Sequence, residues 1–331
     1  MQPILDIQDL RAHFFTFAGE VRALNGIDLS IDRSEIVGLV GETGSGKSVL
    51  ATAIMNAVQF PGRIVSGRVL LEGQDLLTLD EARLRRIRGV DISLIGTNPR
   101  SKLNPLRRVG WQIADVIRAH EALPPAQALD RAVALMQAVG VNDPQRRSRA
   151  FPHELSGGMA QRILIAMAMA GSPRLLIADE ATNGLDVTVQ RQVLDLIRDK
   201  VVERQSSALF ITHDLGIVAQ YCQRVAIIYA GQIVEEASVP ELFSNPRHPY
   251  TISLLASTGA ASRQRANIPL VGSRPDLRNL PGGCFLHPRC PFADERSRTS
   301  APALRPFSAE HRVRCHRADE PLGEMVSVKS A

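Results

Sequence analysis

The sequence predicts an α/β protein: a parallel sheet covered by helices, with a helical subdomain and a C-terminal extension. Short apolar runs alternate with helix-periodic segments, the pattern of strands buried on both faces by helices. From about Gly89 to Met169 the pattern turns helical. After about Asn245 the texture changes again, with frequent Pro, Arg and Cys and no helical periodicity past Ala256.

Strands are expected at Ile36 to Val40, Leu175 to Ala178, Ala208 to Ile211 and Val225 to Tyr229, each short and apolar as a doubly covered strand should be. The first three lead directly into polar residues, and ligands of open α/β sheets gather at the carboxyl ends of strands. Within the helical segment, Val109 to Ala119 and Ala126 to Val139 carry apolar residues at helix spacing. No internal repeat is visible.

At 331 residues the chain is long enough for one large domain and an appendage, and its 44% hydrophobic and 22% charged residues are those of an ordinary globular protein. The formal charge of +5 is concentrated at Arg83, Arg85, Arg86 and Arg88 and between Arg263 and Arg317. With aromatic residues at only 4%, that charge suits a solvated or membrane-proximal face rather than nucleic acid. No apolar run approaches the roughly 18 residues of a membrane span, and the start lacks an export signal, so the chain is expected neither to cross a membrane nor to leave the cytosol. Stable disulfides among Cys222, Cys284, Cys290 and Cys315 are not expected in that setting.

The strand at Ile36 runs into Gly41-Glu42-Thr43-Gly44-Ser45-Gly46-Lys47-Ser48 and then a helical segment, which is G-x-x-x-x-G-K-[ST] in its strand, loop and helix context. Its glycines let backbone NH groups and the helix start surround phosphates, Lys47 supplies a cation to the β/γ-phosphates, and Ser48 ligates Mg²⁺. The apolar strand before Asp179 and Glu180 ends in two carboxylates. Asp179 suits the Mg²⁺ shell, and Glu180 suits orienting or deprotonating an attacking water. His213 ends another apolar strand, where it can donate to a γ-phosphate. Leu155-Ser156-Gly157-Gly158-Met159-Ala160-Gln161-Arg162 opens a helix with a good N-cap and exposed NH groups, a second anion-binding helix start in one chain.

In the order P-loop, Leu-Ser-Gly-Gly-x-x-Gln-Arg, Asp179-Glu180, Leu185-Asp186 and His213, the chain resembles the ATP-binding-cassette (ABC) ATPases over about residues 1 to 245. The resemblance implies a P-loop NTPase core with N-terminal antiparallel strands at 1–88 and 170–245, a helical signature subdomain at 89–169 and an extension at 246–331. It also implies that two subunits sandwich two ATPs, which explains the second cradle: Ser156, Gly157 and Gly158 would face the partner's γ-phosphate, and Asp186 would link the sites. Phe14 is the candidate for stacking on adenine, with Phe17 the alternative.

Several stretches look like the peptide and nickel importer branch: Leu103-Asn104-Pro105-Leu106, Phe151-Pro152-His153-Glu154, Asn245-Pro246-Arg247-His248-Pro249-Tyr250-Thr251, and Leu280-Pro281-Gly282-Gly283-Cys284 through Arg289-Cys290-Pro291. That resemblance implies a peripheral ATPase at the cytoplasmic face of the inner membrane. Its partners would be a second, related ATPase subunit, two transmembrane permeases and an extracytoplasmic solute-binding protein. A soluble ABC protein of DNA repair or translation would carry two cassettes or a long coiled-coil insertion, and neither is present.

Two departures from the branch stand out. Thr97 occupies the position of a glutamine that touches Mg²⁺ and the attacking water, so slower or less coupled hydrolysis is expected; the alternative function is a catalytically weak nucleotide-binding partner in a heterodimer. In the tail, Cys284, Cys290 and Cys315 match three of four cysteines able to hold an iron-sulfur cluster, and Ser297 stands at the fourth position. His287 or His316 would then have to substitute; a packed tail with free thiols is the other reading.

Overall fold

The computed structural model describes residues 2–257, 268–320 and 322, so Arg263 lies outside the described residues. In chain order the strands are β1 (Leu5–Thr16), β2 (Gly19–Ile31), β3 (Ile36–Val40), β4 (Gly62–Leu71), β5 (Gln74–Asp75) and β6 (Ile92–Ile95). They continue as β7 (Leu175–Asp179), β8 (Ser207–Thr212), β9 (Arg224–Tyr229), β10 (Gln232–Ser238), β11 (Arg305–Ser308) and β12 (His311–Val313).

One sheet has the order β2-β1-β4-β5, with antiparallel neighbours. In β1, Leu5 and Ile7 point into the core; register shifts between Ile7 and Arg11 reset the alternation so that Leu10 and Ala12 also point inward. The second sheet runs β11-β12-β10-β9-β3-β8-β7-β6. Its strands β9, β3, β8, β7 and β6 are parallel neighbours, so β3, β7 and β8 end side by side.

The helix Lys47–Ile54 packs between the two sheets, burying Leu50, Ala51, Ala53 and Ile54 against Leu24, Ile27, Val37 and Leu39. Each leucine, isoleucine or valine among these contributes roughly 1.5–3 kcal/mol on burial. A second apolar cluster joins Val109, Ile113 and Ile117 of the helix Val109–His120 to Ala132 and Met136 of Pro125–Ala138 and to Ile163 of Gly157–Met169. A third contains Val40, Tyr229, Leu242, Tyr250 and Leu286, so residues beyond 245 share a core with the sheet.

Two expectations about texture need correcting. The segment expected to be helical from Gly89 opens with β6, a buried strand paired in parallel with β7; four residues are too few to show a period of their own. The extension is less irregular than its composition suggests, because β12 pairs with β10 and carries β11 at the sheet's edge. Pro306 is tolerated in β11 because that strand is outermost. Glu235 of β10 anchors this region: fully buried, it accepts from Arg247 N at 2.6 Å, His248 N at 3.0 Å and His311 Nε2 at 2.7 Å.

Candidate functional site

The loop after β3 can be built only with glycine at its ends. A Cβ on Gly41 would lie 2.2 Å from the Ile228 carbonyl oxygen, and one on Gly46, at φ +108°, would lie 2.7 Å from that of Ala23. Gly44 also has positive φ, at +83°. The loop ends at Lys47, the first residue of its helix, 7% exposed. Lys47 Nζ donates to the carbonyls of Gly41 at 2.6 Å and Glu42 at 3.1 Å. Burial lowers the Lys47 pKa below the ordinary lysine range, opposed by the carboxylates of Glu180 and Asp179.

Asp179 ends β7. Burial raises its pKa above the ordinary carboxylate range, against a hydrogen bond from Ser48. Its Oδ1 is buried without a hydrogen-bond partner among the described residues, as is Ser45 Oγ. A buried carboxylate with an unused oxygen beside a serine hydroxyl fits a divalent cation, which would supply the missing charge and ligand field. Glu180 follows at φ +48°, a strained position of the kind found at functional sites, and its NH donates to Ile211 O of β8 at 2.8 Å. His213 stands just past β8 with Nδ1 3.4 Å from Glu180 Oε1, and Asn183 Nδ2 donates to Glu180 Oε2 at 3.2 Å.

Phe14, Thr43, Gly44, Gly46, Lys47, Ser48 and Glu180 line one cavity of about 400 Å³. Phe14 sits opposite Val21 across the β1–β2 pair, and Val21 lines the same cavity, whereas Phe17 is fully exposed in the turn between those strands. The lining thus combines aromatic and aliphatic side chains with a cation and a glycine-rich loop. Asp179 is not among the lining residues but is hydrogen-bonded to Ser48, which is.

Other expected residues stand apart from that cavity. Ser156 caps the helix Gly157–Met169, its Oγ accepting from Met159 N at 3.2 Å, and Ser156 and Gly157 are exposed. That helix is tied to the carboxylate turn by Gln161, whose buried Nε2 donates to Ala181 O at 2.5 Å. Asp186 caps Val187–Glu203, accepting from Val189 N at 3.0 Å. Thr97 lies half-buried in the loop after β6 and is not among the residues lining the cavity.

The three tail thiols lie near one another: the charge of Cys284 acts on Cys290, and those of Cys284 and Cys290 act on Cys315. Burial pushes Cys290 up to about 11 and Cys315 up to about 12, and raises Cys284. Ser297 Oγ at the fourth position donates to Asp294 O at 2.7 Å. His287 Nδ1 and His316 Nε2 are engaged with the carbonyls of Cys284 and Ser300, at 3.0 Å and 2.9 Å. Among the described residues no group of three or more His, Cys, Asp or Glu is placed to hold a metal ion.

Sequence reasoning missed Asn183 and the extension's contacts with the loop. Tyr250 OH accepts from Glu42 N at 2.8 Å, Arg289 Nη1 and Nη2 each lie 3.3 Å from a Glu42 carboxylate oxygen, and Leu277 lines the cavity. Tyr250 and Arg289 belong to stretches that stood out in sequence. Their partners lie more than 200 positions away, and no local signal names them.

The family profile described as ABC transporter matches residues 24–183, and the one described as oligopeptide/dipeptide transporter, C-terminal region, matches residues 234–296. A Brucella melitensis protein named for peptide import and ATP binding is 45% identical over 332 residues, 96% of this chain and 98% of that protein. The oligopeptide transport ATP-binding protein OppD of Bacillus subtilis is 44% identical over 314 residues, 94% of this chain and 88% of its own. The dipeptide transport ATP-binding protein DppD of Haemophilus influenzae is 39% identical over 329 residues, 99% of each chain. A dimeric ATP-binding cassette solved in a post-hydrolysis state with ADP and Pi superposes with a TM-score of 0.66 at 22% identity, over 71% of this chain and 98% of its own, and shares the fold. Nearly full-length identity of this order, on a fold that sets the loop and the Asp179-Glu180 pair at the ends of β3 and β7 on either side of β8, places the chain in the ATP-binding-cassette (ABC) transporter family, as one of its ATPase chains.

Proposed function

We propose that this chain hydrolyses MgATP in its cavity, paired head to tail with a second ATPase subunit, to energise uptake of peptides or related small solutes. The observation that carries the reading is the convergence of Lys47, Ser48 and Glu180 on one cavity, with the buried Asp179 bonded to Ser48. The exposed start of the helix Gly157–Met169 stands apart, free to face a partner's nucleotide.

The chemistry follows from these groups. Lys47 exchanges its loop carbonyls for the β/γ-phosphate oxygens, and the NH groups of Gly44 to Ser48 surround them. Ser48 and Asp179 would hold Mg²⁺, which neutralises charge developing on the phosphoryl oxygens. Glu180 takes a proton from the water that attacks the γ-phosphorus, and the bond to the ADP oxygen breaks. His213 donates to the γ-phosphate from beside that base. Phe14 stacks on adenine. Ser156, Gly157 and Gly158 complete the partner's site, and Asp186 couples the two.

No helix among the described residues is long and apolar enough to cross a membrane. On this reading, which rests on the transporter relatives, the chain works as a peripheral subunit on the cytoplasmic side of the inner membrane, bound to two permease subunits that receive solute from an extracytoplasmic binding protein. The names of the relatives favour peptides as that solute. The tail thiols act as packed free cysteines, and anaerobically purified protein should show no visible absorption band and no bound iron.

The deciding experiment is the steady-state ATPase rate of the chain alone and assembled with its second ATPase and permeases, beside Glu180→Gln. Activity that rises on assembly and vanishes in the variant supports the reading; silence of the full assembly overturns it.

A further inference from the structure

We propose that the C-terminal extension builds part of the nucleotide site, with Leu277 a wall for the nucleobase and Arg274 and Arg289 setting the phosphate loop through Glu42. This rests on the reading of the cavity as an ATP site. Leu277 lines the same cavity as Phe14, Val21 and Lys47. Its carbonyl accepts from Arg22 N of β2 at 2.9 Å, so the segment is pinned by backbone to the strand pair that carries Phe14 and Val21. Those three side chains give the cavity apolar lining from both the strand pair and the extension, which is what a planar base needs and a phosphate does not.

The electrostatics point the same way. Glu42 places a carboxylate inside a loop that must receive a triphosphate, and like charges a few ångströms apart repel. The extension supplies the counter-charge: Arg274 Nε lies 3.3 Å from Glu42 Oε2, and both Arg289 terminal nitrogens lie 3.3 Å from the same carboxylate. Arg274 Nη1 also donates to Thr43 O, and Tyr250 OH takes the Glu42 NH. One loop residue is thus held by three side chains from beyond position 245, and the loop's shape depends on a segment outside the cassette core. Arg274, an exposed side chain, contributes charge and loop position; Leu277 contributes base contact.

The two contributions separate in calorimetric titrations of the full chain with MgATP and with inorganic tripolyphosphate, which has no base. Leu277→Ala should weaken MgATP binding about tenfold and leave tripolyphosphate binding unchanged. Leu277→Gln, which keeps the length but not the apolar character, should show the same selective loss. Arg274→Ala should weaken both ligands by a similar factor, about threefold to tenfold. Unchanged MgATP affinity in both Leu277 variants, or equal weakening of the two ligands in them, overturns the wall; unchanged binding of both ligands in Arg274→Ala overturns the loop contact. Wild-type protein that binds tripolyphosphate but gains nothing from the adenosine also overturns the wall, and wild-type protein that binds neither overturns the ATP reading itself.

Discussion

His213 Nδ1 and Glu180 Oε1 stand 3.4 Å apart at the ends of the adjacent parallel strands β8 and β7. The same carboxylate receives Asn183 Nδ2 on its other oxygen. Glu180→Gln should therefore retain MgATP binding and lose hydrolysis by about 10²–10⁴-fold, read as single-turnover ADP formation. His213→Ala should lose about 10²–10³-fold. Asn183→Ala, which frees one base oxygen to swing, should lower kcat about tenfold with little change in KM.

Thr97 carries a hydroxyl where relatives of this branch are expected to place a longer amide. Thr97→Gln should raise the transport-coupled ATPase rate of the assembled complex, about tenfold for one well-placed hydrogen bond. An unchanged rate would show that the position does not limit turnover.

Gly41 tests the loop geometry without removing any charged group. A methyl there meets the Ile228 carbonyl at 2.2 Å, a backbone atom that cannot rotate aside. Gly41→Ala should lose nucleotide binding by at least about a hundredfold and lower Tm, with Gly157→Ala, which meets nothing within 4 Å, leaving Tm unchanged.

Two buried histidines in the extension give opposite pH dependences. Burial disfavours charge on His311, but Glu235 at 2.7 Å and Glu241 at 3.4 Å outweigh it and hold its pKa above the ordinary range. Stability from this contact is fully present below about pH 6.5 and is lost as pH rises through the raised folded value. Burial depresses His248 to about 4, so between roughly pH 6.5 and 4 the unfolded chain binds the extra proton and stability falls with falling pH. From these two groups, scanning calorimetry should find Tm highest near pH 6.5. His311→Gln should flatten the alkaline limb and His248→Asn the acid limb.

Legibility in the sequence followed the range of the interaction. The loop from Gly41 to Ser48 is contiguous, with its strand directly before it and its helix directly after, so its local geometry was readable residue by residue. So were the strands ending at Asp179 and Thr212, because strands buried on both faces are runs of apolar residues. Strand β6 was hidden in a segment dominated by helical periods, and β12 in a stretch rich in arginine, because short strands gain their identity from the neighbours they pair with. Phe14 was the candidate in sequence and Phe17 the alternative, with no local signal to separate them. The turn that exposes Phe17 and the pairing that sets Phe14 beside the cavity distinguish them.

The sequence by itself determined the phosphate loop, the carboxylate pair and the order of the cassette motifs, because each rests on local spacing that backbone geometry turns directly into a site. Tertiary structure alone decided that Glu180 meets His213 and Asn183. It alone decided that Glu42 is gripped by Tyr250, Arg274 and Arg289. Those contacts join residues separated by up to 247 positions, and only the pairing of strands and the packing of their covers brings such residues within a hydrogen bond of each other.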